Sequence, residues 1–384
     1  MSEFDALLAE YTEKGNAKVH GVICKCVDKN GNEVYSKISG YDSLSEDASP
    51  LREDAVFQLA SATKLITSIA LLQCVERGLV GLDESLTKIL PEFDSSSKIP
   101  ITARHLLTHT SGLGYRFTHR LLTPWAAARD QKRKPSLRVT DRYLYPLVFE
   151  PGTGWLYGCS LDWAGVVVSR LNGGMSLEDY MVENIWKKLG LTSPFPKFNV
   201  SKHPEYNARV MKAAEQTSDG RLKPYDHWPF ENPEDQEGGS GLASTAKDYL
   251  AVLADLISES PKLLPPSTIA DMFTPQLVPE SPSVQNLLDP RIAWEVVSGP
   301  VAADAVNHGL GGLLCVGPVP EIDQPGNMLG WGGASNIIWW ANRELGVAGF
   351  FATQQSPFAN ATVVKLVNAW KKDFWTRFKT TTPS

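Results

Sequence analysis

Phe57-Gln-Leu-Ala-Ser-Ala-Thr-Lys-Leu-Ile-Thr-Ser-Ile-Ala70 is the stretch on which the fold and the chemistry of this chain depend. It places a hydroxyl and an amine three residues apart, at Ser61 and Lys64, and no glycine or proline follows until Gly78. The apolar run after Lys64 predicts a largely buried helix with Ser61 in its first turn. Positions i and i+3 share one helix face, so the amine reaches the hydroxyl. The unpaired N–H groups of a helix start also suit a developing oxyanion.

The pairing of Ser61 with Lys64 has two interpretations at this point. A serine hydroxyl is a weak nucleophile at neutral pH and needs a general base. A lysine serves as that base when burial lowers its pKa, and Lys64 is followed by apolar residues. The alternative is a chance Ser-x-x-Lys pattern whose lysine extends to solvent.

Length, composition and charge restrict the class of protein. The 384 residues suit two domains or one domain with a large insertion, and 42% hydrophobic with 21% charged residues is typical of globular proteins. The net charge of -6 favours neither nucleic acid nor an anionic membrane surface as a partner. The short basic run at residues 131–134 is interpreted as a solvated loop. An acidic N-terminus and the absence of a long apolar run predict a cytoplasmic protein that does not span a membrane.

Cysteine and histidine spacing gives no indication of a metal site. The five cysteines are scattered and odd in number, so we interpret them as free buried thiols. His105 and His109 lie four residues apart, but no glutamate follows the first in the His-Glu-x-x-His manner and no third ligand is evident. Structural histidines are the favoured interpretation, and we expect neither a metal nor a cofactor.

The strand patterns lie at the two ends of the chain. Residues 19–28 and 33–39 alternate about the hairpin signal Asn30-Gly31, and three further strand-like runs occupy 308–316, 329–340 and 346–353. Amphipathic helices open and close the chain, and the middle is mostly helical. We therefore expect an α+β fold in which an antiparallel sheet, flanked by the terminal helices, carries an inserted, mainly helical lobe.

This architecture predicts a single catalytic domain over residues 1–384 with a cleft where its two lobes meet. The α/β lobe is assigned to about residues 1–60 and 290–384, and the helical lobe to about 61–289. Within the helical lobe, Ser160 or Asp162 is expected to cap a helix that runs through Leu171.

Two glycine-rich segments carry further candidate chemistry. Tyr157 lies in the Pro/Gly-containing loop 150–160, where its phenol either relays protons beside a lysinium or simply packs next to Trp155. Residues 330–336 interrupt an apolar strand with glycines, which mark either a β-bulge or the close approach of a ligand. In the second case the N–H of Ala334 would be an oxyanion donor.

Three motifs, in this order, resemble the serine β-lactamase and penicillin-binding-protein superfamily: Ser61-Ala-Thr-Lys64, Tyr157-Gly-Cys159 and Trp331-Gly-Gly333. More narrowly, the chain resembles the class C β-lactamase-like group, which includes the family VIII esterases. Within that group it is most similar to the fungal transesterases that acylate statin cores. The likeness extends over most of the chain.

The resemblance implies a role for each motif residue. Ser61 would be the nucleophile, Lys64 and Tyr157 the general-base pair, and the N–H groups of Ser61 and Ala334 the oxyanion hole. The residues assigned to substrate binding are Trp331, Gly332, Gly333, Cys159, Tyr115 and Trp294.

Two departures from the lactamase pattern bear on the substrate. Trp331 stands where lactamases carry the lysine of Lys-Thr-Gly, and Cys159 replaces the asparagine of Tyr-x-Asn. Both changes argue against lactam hydrolysis, and a tryptophan favours an uncharged, apolar substrate.

We therefore predict an acyltransferase that moves an acyl group through Ser61 to an alcohol of a small natural product in secondary metabolism. Its partners would be that small-molecule acceptor and an acyl thioester or ester donor, which a carrier protein could present. The alternatives are a carboxylesterase that uses the same acyl-enzyme, a β-lactamase, and an inactive binding protein on this scaffold.

Overall fold

The computed structural model of the protein describes residues 2–94, 97–130, 137–225, 235–289 and 291–381. The basic run at residues 131–134 therefore lies outside the described residues. Among the described residues, no helix combines the length and the apolar composition that crossing a bilayer requires.

Thirteen strands in the described residues form one large sheet and two small ones. The large sheet has the order β2-β1-β12-β11-β10-β9-β8, and every neighbouring pair in it is antiparallel. The strands are β1 Gly21–Asp28, β2 Glu33–Gly40, β3 Val56–Gln58, β4 Lys197–Phe198, β5 Ala214–Gln216, β6 Leu222–Pro224, β7 Leu242–Thr245, β8 Val306–His308, β9 Leu313–Cys315, β10 Met328–Gly333, β11 Ile337–Asn342, β12 Val347–Ala352 and β13 Gln355–Ser356.

Helices cover both faces of the large sheet and build most of the segment inserted between its strands. The α-helices of the described residues are α1 Glu3–Tyr11, α2 Thr63–Glu76, α3 Ala103–Leu107, α4 Leu122–Asp130, α5 Val139–Arg142, α6 Ser160–Leu171, α7 Leu177–Met181, α8 Pro204–Asn207, α9 Ala246–Ile257, α10 Pro266–Met272, α11 Pro282–Leu288, α12 Arg291–Ser298 and α13 Ala361–Thr381.

Alternating aromatic side chains attach the helices to the sheet. Trp340 of β11 packs against Trp375 of α13, with ring centroids 5.1 Å apart. Phe350 of β12 contacts Tyr249 of α9 at 4.9 Å. Strands β10 to β12 are buried at every position, because helices cover the sheet on both faces. The α+β fold class with an antiparallel sheet flanked by the terminal helices is confirmed.

The predicted boundaries fail where glycine turns lie inside apolar runs. The run at 308–316 holds only the last residue of β8, then a turn in which Gly311 has φ +91°, and then β9. The run at 329–340 is also two strands, β10 and β11, and the turn between them holds Asn336 at φ +61°. Because these strands are buried on both faces, they show no alternation from which the turns could be located in the sequence.

The segment between the two parts of the sheet is less purely helical than its sequence pattern. It contributes β7, which pairs with β3 just before Ser61, and α9, which packs on β12 and β1. Helix α2 packs against α6, so the segment that begins at Ser61 is fixed to the middle of the inserted region.

Candidate active site

Ser61 lies in a tight turn between strand β3 and helix α2. Residues Ala60–Ala62 form a 3₁₀ turn, and Ala60 has φ +45°, a left-handed conformation that costs an alanine about 1–2 kcal/mol. The Tyr249 hydroxyl donates to the carbonyl of Ala62 at 2.9 Å, which fixes the start of α2. The surrounding structure therefore holds a strained backbone beside the candidate nucleophile, as is common at functional sites.

Lys64 follows one turn later, and its amine is buried against four oxygen atoms. Lys64 is 2% exposed. Its Nζ lies 3.2 Å from Ser61 Oγ, 3.0 Å from Tyr157 Oη, 3.2 Å from Tyr115 Oη and 2.7 Å from the carbonyl of Gly239. The lysine therefore does not extend into solvent, and its amine contacts both candidate partners in acyl transfer.

Tyr157 completes this contact from a different part of the chain. Its hydroxyl is hydrogen-bonded directly to Ser61 Oγ. The loop that carries it runs beside residues 109–114, where the N–H of Leu156 donates to the carbonyl of His109 at 3.0 Å. Gly158 makes the close approach possible, because a Cβ on this residue would lie 2.0 Å from the carbonyl oxygen of Leu113.

Behind the amine lies a buried carboxylate that the sequence analysis missed. Asp162 is fully buried, and its two oxygens accept from Tyr115 Oη at 2.7 Å and from the N–H of Gly239 at 2.9 Å. Burial raises the pKa of Asp162, an effect opposed by the charge of Lys64 and by both hydrogen bonds. Burial also raises the pKa of the Tyr115 phenol, which therefore stays protonated and donates.

The expected helix cap at this place is wrong. Cys159 is the N-cap residue of α6, with no side-chain cap bond. Ser160 bonds instead to the hydroxyl of Ser111 at 2.8 Å, while Asp162 turns toward Tyr115. Serine and aspartate in a first turn usually serve the helix end, so the local pattern gave no sign of these tertiary partners.

The candidate oxyanion donors come from two adjoining backbone segments. Ala334 is exposed and follows directly after β10. The preceding residue, Gly333, packs so tightly on the Ser61 turn that an added Cβ would lie 2.0 Å from the carbonyl oxygen of Leu59 and 3.4 Å from the nitrogen of Ala62. This contact explains why a residue with no side chain occupies position 333.

An aromatic wall lines one side of this centre. Trp331 is 5% exposed, and its ring lies 5.6 Å from Tyr157, 5.0 Å from Trp294 and 6.0 Å from His109. His308 is 5.7 Å from the same tryptophan. Burial lowers the pKa of His109 well below its usual value and that of His308 to about 4. Both imidazoles are therefore neutral at physiological pH, so the wall carries no charge.

The remaining predicted residues occupy different positions. Trp294 belongs to the wall, and its indole N–H donates to the carbonyl of Leu287 at 2.7 Å. Gly332 is buried in β10 opposite Ile338. The Cys159 thiol is fully buried and donates to the carbonyl of Gly114 at 3.4 Å, which places it behind the site rather than on a surface open to substrate.

The other cysteine and histidine predictions agree with the structure in part. All five cysteines are free and buried. His105 accepts from the N–H of Thr102 at 3.3 Å, as a structural histidine does, whereas Nδ1 of His109 is buried with no hydrogen-bond partner among the described residues. Within the described ranges, no group of three or more His, Cys, Asp or Glu side chains is arranged to hold a metal ion.

Comparison with known proteins identifies the family. Residues 4–370 match the family model described as Beta-lactamase. The chain belongs to the beta-lactamase family. Acyltransferase calJ of Penicillium decumbens is 66% identical over 414 residues, and the match covers 99% of this chain and 99% of that one. Lovastatin esterase of Penicillium rubens is 33% identical over 399 residues, which cover 94% of this chain and 95% of that one.

A solved structure of a similar protein agrees with both the fold and the resemblance. Unliganded simvastatin synthase (LovD) from Aspergillus terreus matches with a TM-score of 0.86 and 31% identity, over 98% of this chain and 99% of that chain. The relatives are named as an acyltransferase, an esterase and a synthase, and the prediction of an acyl-transferring enzyme of this family is confirmed.

Proposed function

We propose that Ser61 is the nucleophile of an acyl transfer from a thioester or ester donor to an alcohol of a small natural product. One observation carries the proposal. The hydroxyl of Ser61 contacts both the buried amine of Lys64 and the phenol of Tyr157, which in turn lie 3.0 Å apart. A hydroxyl held by two groups that accept and return protons is the arrangement that activates a serine.

In the first half of the proposed reaction, Ser61 Oγ attacks the donor carbonyl carbon and its proton passes to the Tyr157–Lys64 pair. The tetrahedral oxyanion is stabilised by the N–H groups of Ser61 and Ala334, a contribution typically worth about 10²–10³ in rate per donor. Collapse breaks the bond to the thiol or alcohol leaving group, which takes the proton and departs. The product of this half-reaction is an acyl ester on Ser61.

In the second half, the acceptor alcohol gives its proton to the same pair and attacks the acyl carbonyl. The bond to Ser61 Oγ then breaks, and Ser61 recovers a proton from Tyr157 or Lys64. An uncharged aromatic wall around Trp331 suits an apolar acyl chain or an apolar acceptor, because burial of apolar surface stabilises such a complex by about 25 cal/mol per Å².

Trapping the acyl-enzyme tests the assignment of the nucleophile. We expect a short acyl thioester to add one acyl group to the protein, which peptide mass spectrometry locates on Ser61. Ser61→Ala should form no adduct, and an adduct in that variant would show that the nucleophile lies elsewhere.

A second variant tests the base. Tyr157→Phe keeps the ring in its packing but removes the hydroxyl bonded to Ser61, so acylation should fall by about 10² or more while the unfolding midpoint changes little. An acylation rate near that of the unaltered enzyme would remove Tyr157 from the mechanism.

Hydrolysis is the second candidate function, and the esterase among the relatives favours it. Both functions share the acyl-enzyme and differ in whether water or an alcohol releases it. Nitrophenyl ester turnover with increasing concentrations of added alcohols separates them. A transferase gives ester product that rises with alcohol at the expense of acid, whereas a hydrolase gives acid at every alcohol concentration.

The identity of the donor is a further part of the proposal. Exposed apolar and basic side chains follow Tyr115 along the chain. Phe117 is 75% exposed and stacks on the Tyr115 ring at 5.4 Å, and Arg116, Arg120 and Leu121 are also exposed. Such a surface suits an acidic carrier protein that presents a thioester. We expect a carrier-bound donor to exceed the same acyl group on a small thiol about tenfold in kcat/KM, and equal values would indicate a free thioester as donor.

A further inference from the structure

The amine of Lys64 has more oxygen neighbours than it has protons to give. An ammonium group donates three hydrogen bonds, whereas a neutral amine donates two and accepts one. Four oxygens, from Ser61, Tyr115, Tyr157 and Gly239, lie within 3.2 Å of Nζ. The directions of the Lys64 bonds therefore depend on which of these oxygens must accept.

Two of the four oxygens are acceptors toward Lys64. The Gly239 carbonyl can only accept. Tyr115 accepts because its own proton is directed at Asp162 Oδ2, 2.7 Å away. These two bonds use two protons of the amine. The remaining position on the nitrogen, whether a third proton or a lone pair, is left for Ser61 and Tyr157.

Asp162 is hydrogen-bonded to both groups that accept from Lys64, namely Tyr115 and Gly239. Its second oxygen accepts from the N–H of Gly239 at 2.9 Å, so the carboxylate orients both groups that receive protons from Lys64. The fit is close: a Cβ on Gly239 would lie 2.4 Å from Asp162 Oδ2 and 2.7 Å from Tyr115 Oη. Thr67 fixes the same loop by donating to the carbonyl of Gly238 at 2.7 Å.

We infer that Asp162 is a positioning residue for acyl transfer. By orienting Tyr115 and Gly239, it directs the remaining proton or lone pair of the Lys64 amine at Ser61 and Tyr157. This inference rests on the proposed function of Ser61. It also gives Tyr115 a role beside the base, in place of the substrate contact expected from the sequence.

The other titratable groups around this network do not compete with Asp162 for that role. Burial raises the pKa values of Tyr115, Tyr143 and Cys159 and lowers that of His109, so these four groups remain uncharged. The Tyr157 hydroxyl contacts the Lys64 amine together with Ser61. The charged neighbours of Asp162 besides Lys64 are Arg142 and Glu237, which pair with each other at 2.6 Å.

The test compares Asp162→Asn, Tyr115→Phe and the double variant by the pH dependence of Ser61 acylation. The amide introduced by Asp162→Asn has one oxygen for two donors, so the orientation of Tyr115 is lost and we expect acylation to fall at least about tenfold. Loss of the carboxylate also removes a negative charge beside the base, so the acid limb of the acylation rate profile should move to lower pH.

Non-additivity is the second expected result. Because both residues act on Lys64 through the same hydrogen bond, the double variant should lose no more than about threefold beyond the slower single variant. Asp255→Asn is the matched control. It removes another buried carboxylate, one that accepts from the N–H groups of Lys262 and Leu263, and it should lower stability without moving the acid limb.

The outcomes separate this inference from the proposed function. If the unaltered enzyme forms no Ser61 adduct, the proposed function fails. If the adduct forms but Asp162→Asn keeps the pH profile of the unaltered enzyme, Asp162 has no role in positioning Lys64. The same conclusion follows if the fold-reductions in acylation rate caused by Asp162→Asn and Tyr115→Phe multiply in the double variant. Melting curves of each variant establish that the compared enzymes are folded.

Discussion

Replacement of Gly158 by alanine should displace Tyr157 without removing any functional atom. A Cβ at this position would lie 2.0 Å from the carbonyl oxygen of Leu113 and 2.5 Å from Cα of Gly114. Both are backbone atoms, so no side chain can rotate away to make room. One of the two segments must move by about 1.4 Å before the first contact reaches the ordinary van der Waals range that begins at 3.4 Å.

The size of the effect follows from the contacts of Tyr157. The Tyr157 hydroxyl lies 3.0 Å from Lys64 Nζ. A displacement of about 1.4 Å away from Lys64 would carry the two atoms beyond hydrogen-bonding distance. A misplacement of about 1 Å in a catalytic constellation can cost about 10² in rate. Overpacking lowers the free energy of unfolding by about 1–3 kcal/mol. We therefore expect Gly158→Ala to be folded and about 100-fold slower in acylation.

Two measurements check this expectation. Urea unfolding gives the stability change, and the initial burst with a nitrophenyl ester gives the acylation rate per folded enzyme. Gly174→Ala is the control, because its Cβ would meet nothing within 4 Å while its φ of +84° imposes a backbone penalty of about 1–2 kcal/mol. It should lose stability but acylate normally. A Gly158→Ala enzyme that acylates at the original rate would refute the claim that this close approach positions Tyr157.

Two further changes probe the wall and the response to acid. Trp331→Ala should lower the free energy of unfolding by about 3–5 kcal/mol in urea and shift the preference among acyl donors toward bulkier groups; an unchanged preference would show that Trp331 does not contact the acyl chain. Burial lowers the pKa of His20 to about 4, so the unfolded chain binds more protons between pH 4 and about 6.5 and stability falls as the pH drops through that window. His20→Gln should reduce that acid-induced loss by about 3 kcal/mol, as urea midpoints at pH 7 and pH 4 would reveal.

The sequence was sufficient to locate the chemistry that depends on helical periodicity. The spacing of three residues brings Ser61 and Lys64 to 3.2 Å in the structure, although Ser61 lies in the 3₁₀ turn before α2 and not in the first turn of the helix as predicted. The hairpin signal at Asn30-Gly31 likewise predicted two paired strands, and β1 and β2 are antiparallel neighbours in the large sheet. Such features depend on neighbours within a few residues, and local patterns encode them directly.

Long-range contacts around the base were not accessible in the same way. Tyr115 lies 51 residues from Lys64 along the chain and Gly239 lies 175 away, yet both contact its amine. Asp162 looked like part of a helix start because aspartate is common there. Its burial and its two tertiary hydrogen bonds appear only once α6 is packed against α2.

The uncharged aromatic wall is a poor site for the carboxylate of a lactam substrate, for an energetic reason. Trp331 occupies the place where the resemblance puts a lysine, and its neighbours His109 and His308 are kept neutral by burial. A substrate carboxylate placed there would lose its hydration without gaining a cation, which costs several kcal/mol. An uncharged acyl chain gains instead from covering the same rings. We therefore expect Trp331 to favour uncharged substrates, while Ser61, Lys64 and Tyr157 keep the contacts on which the proposed chemistry depends.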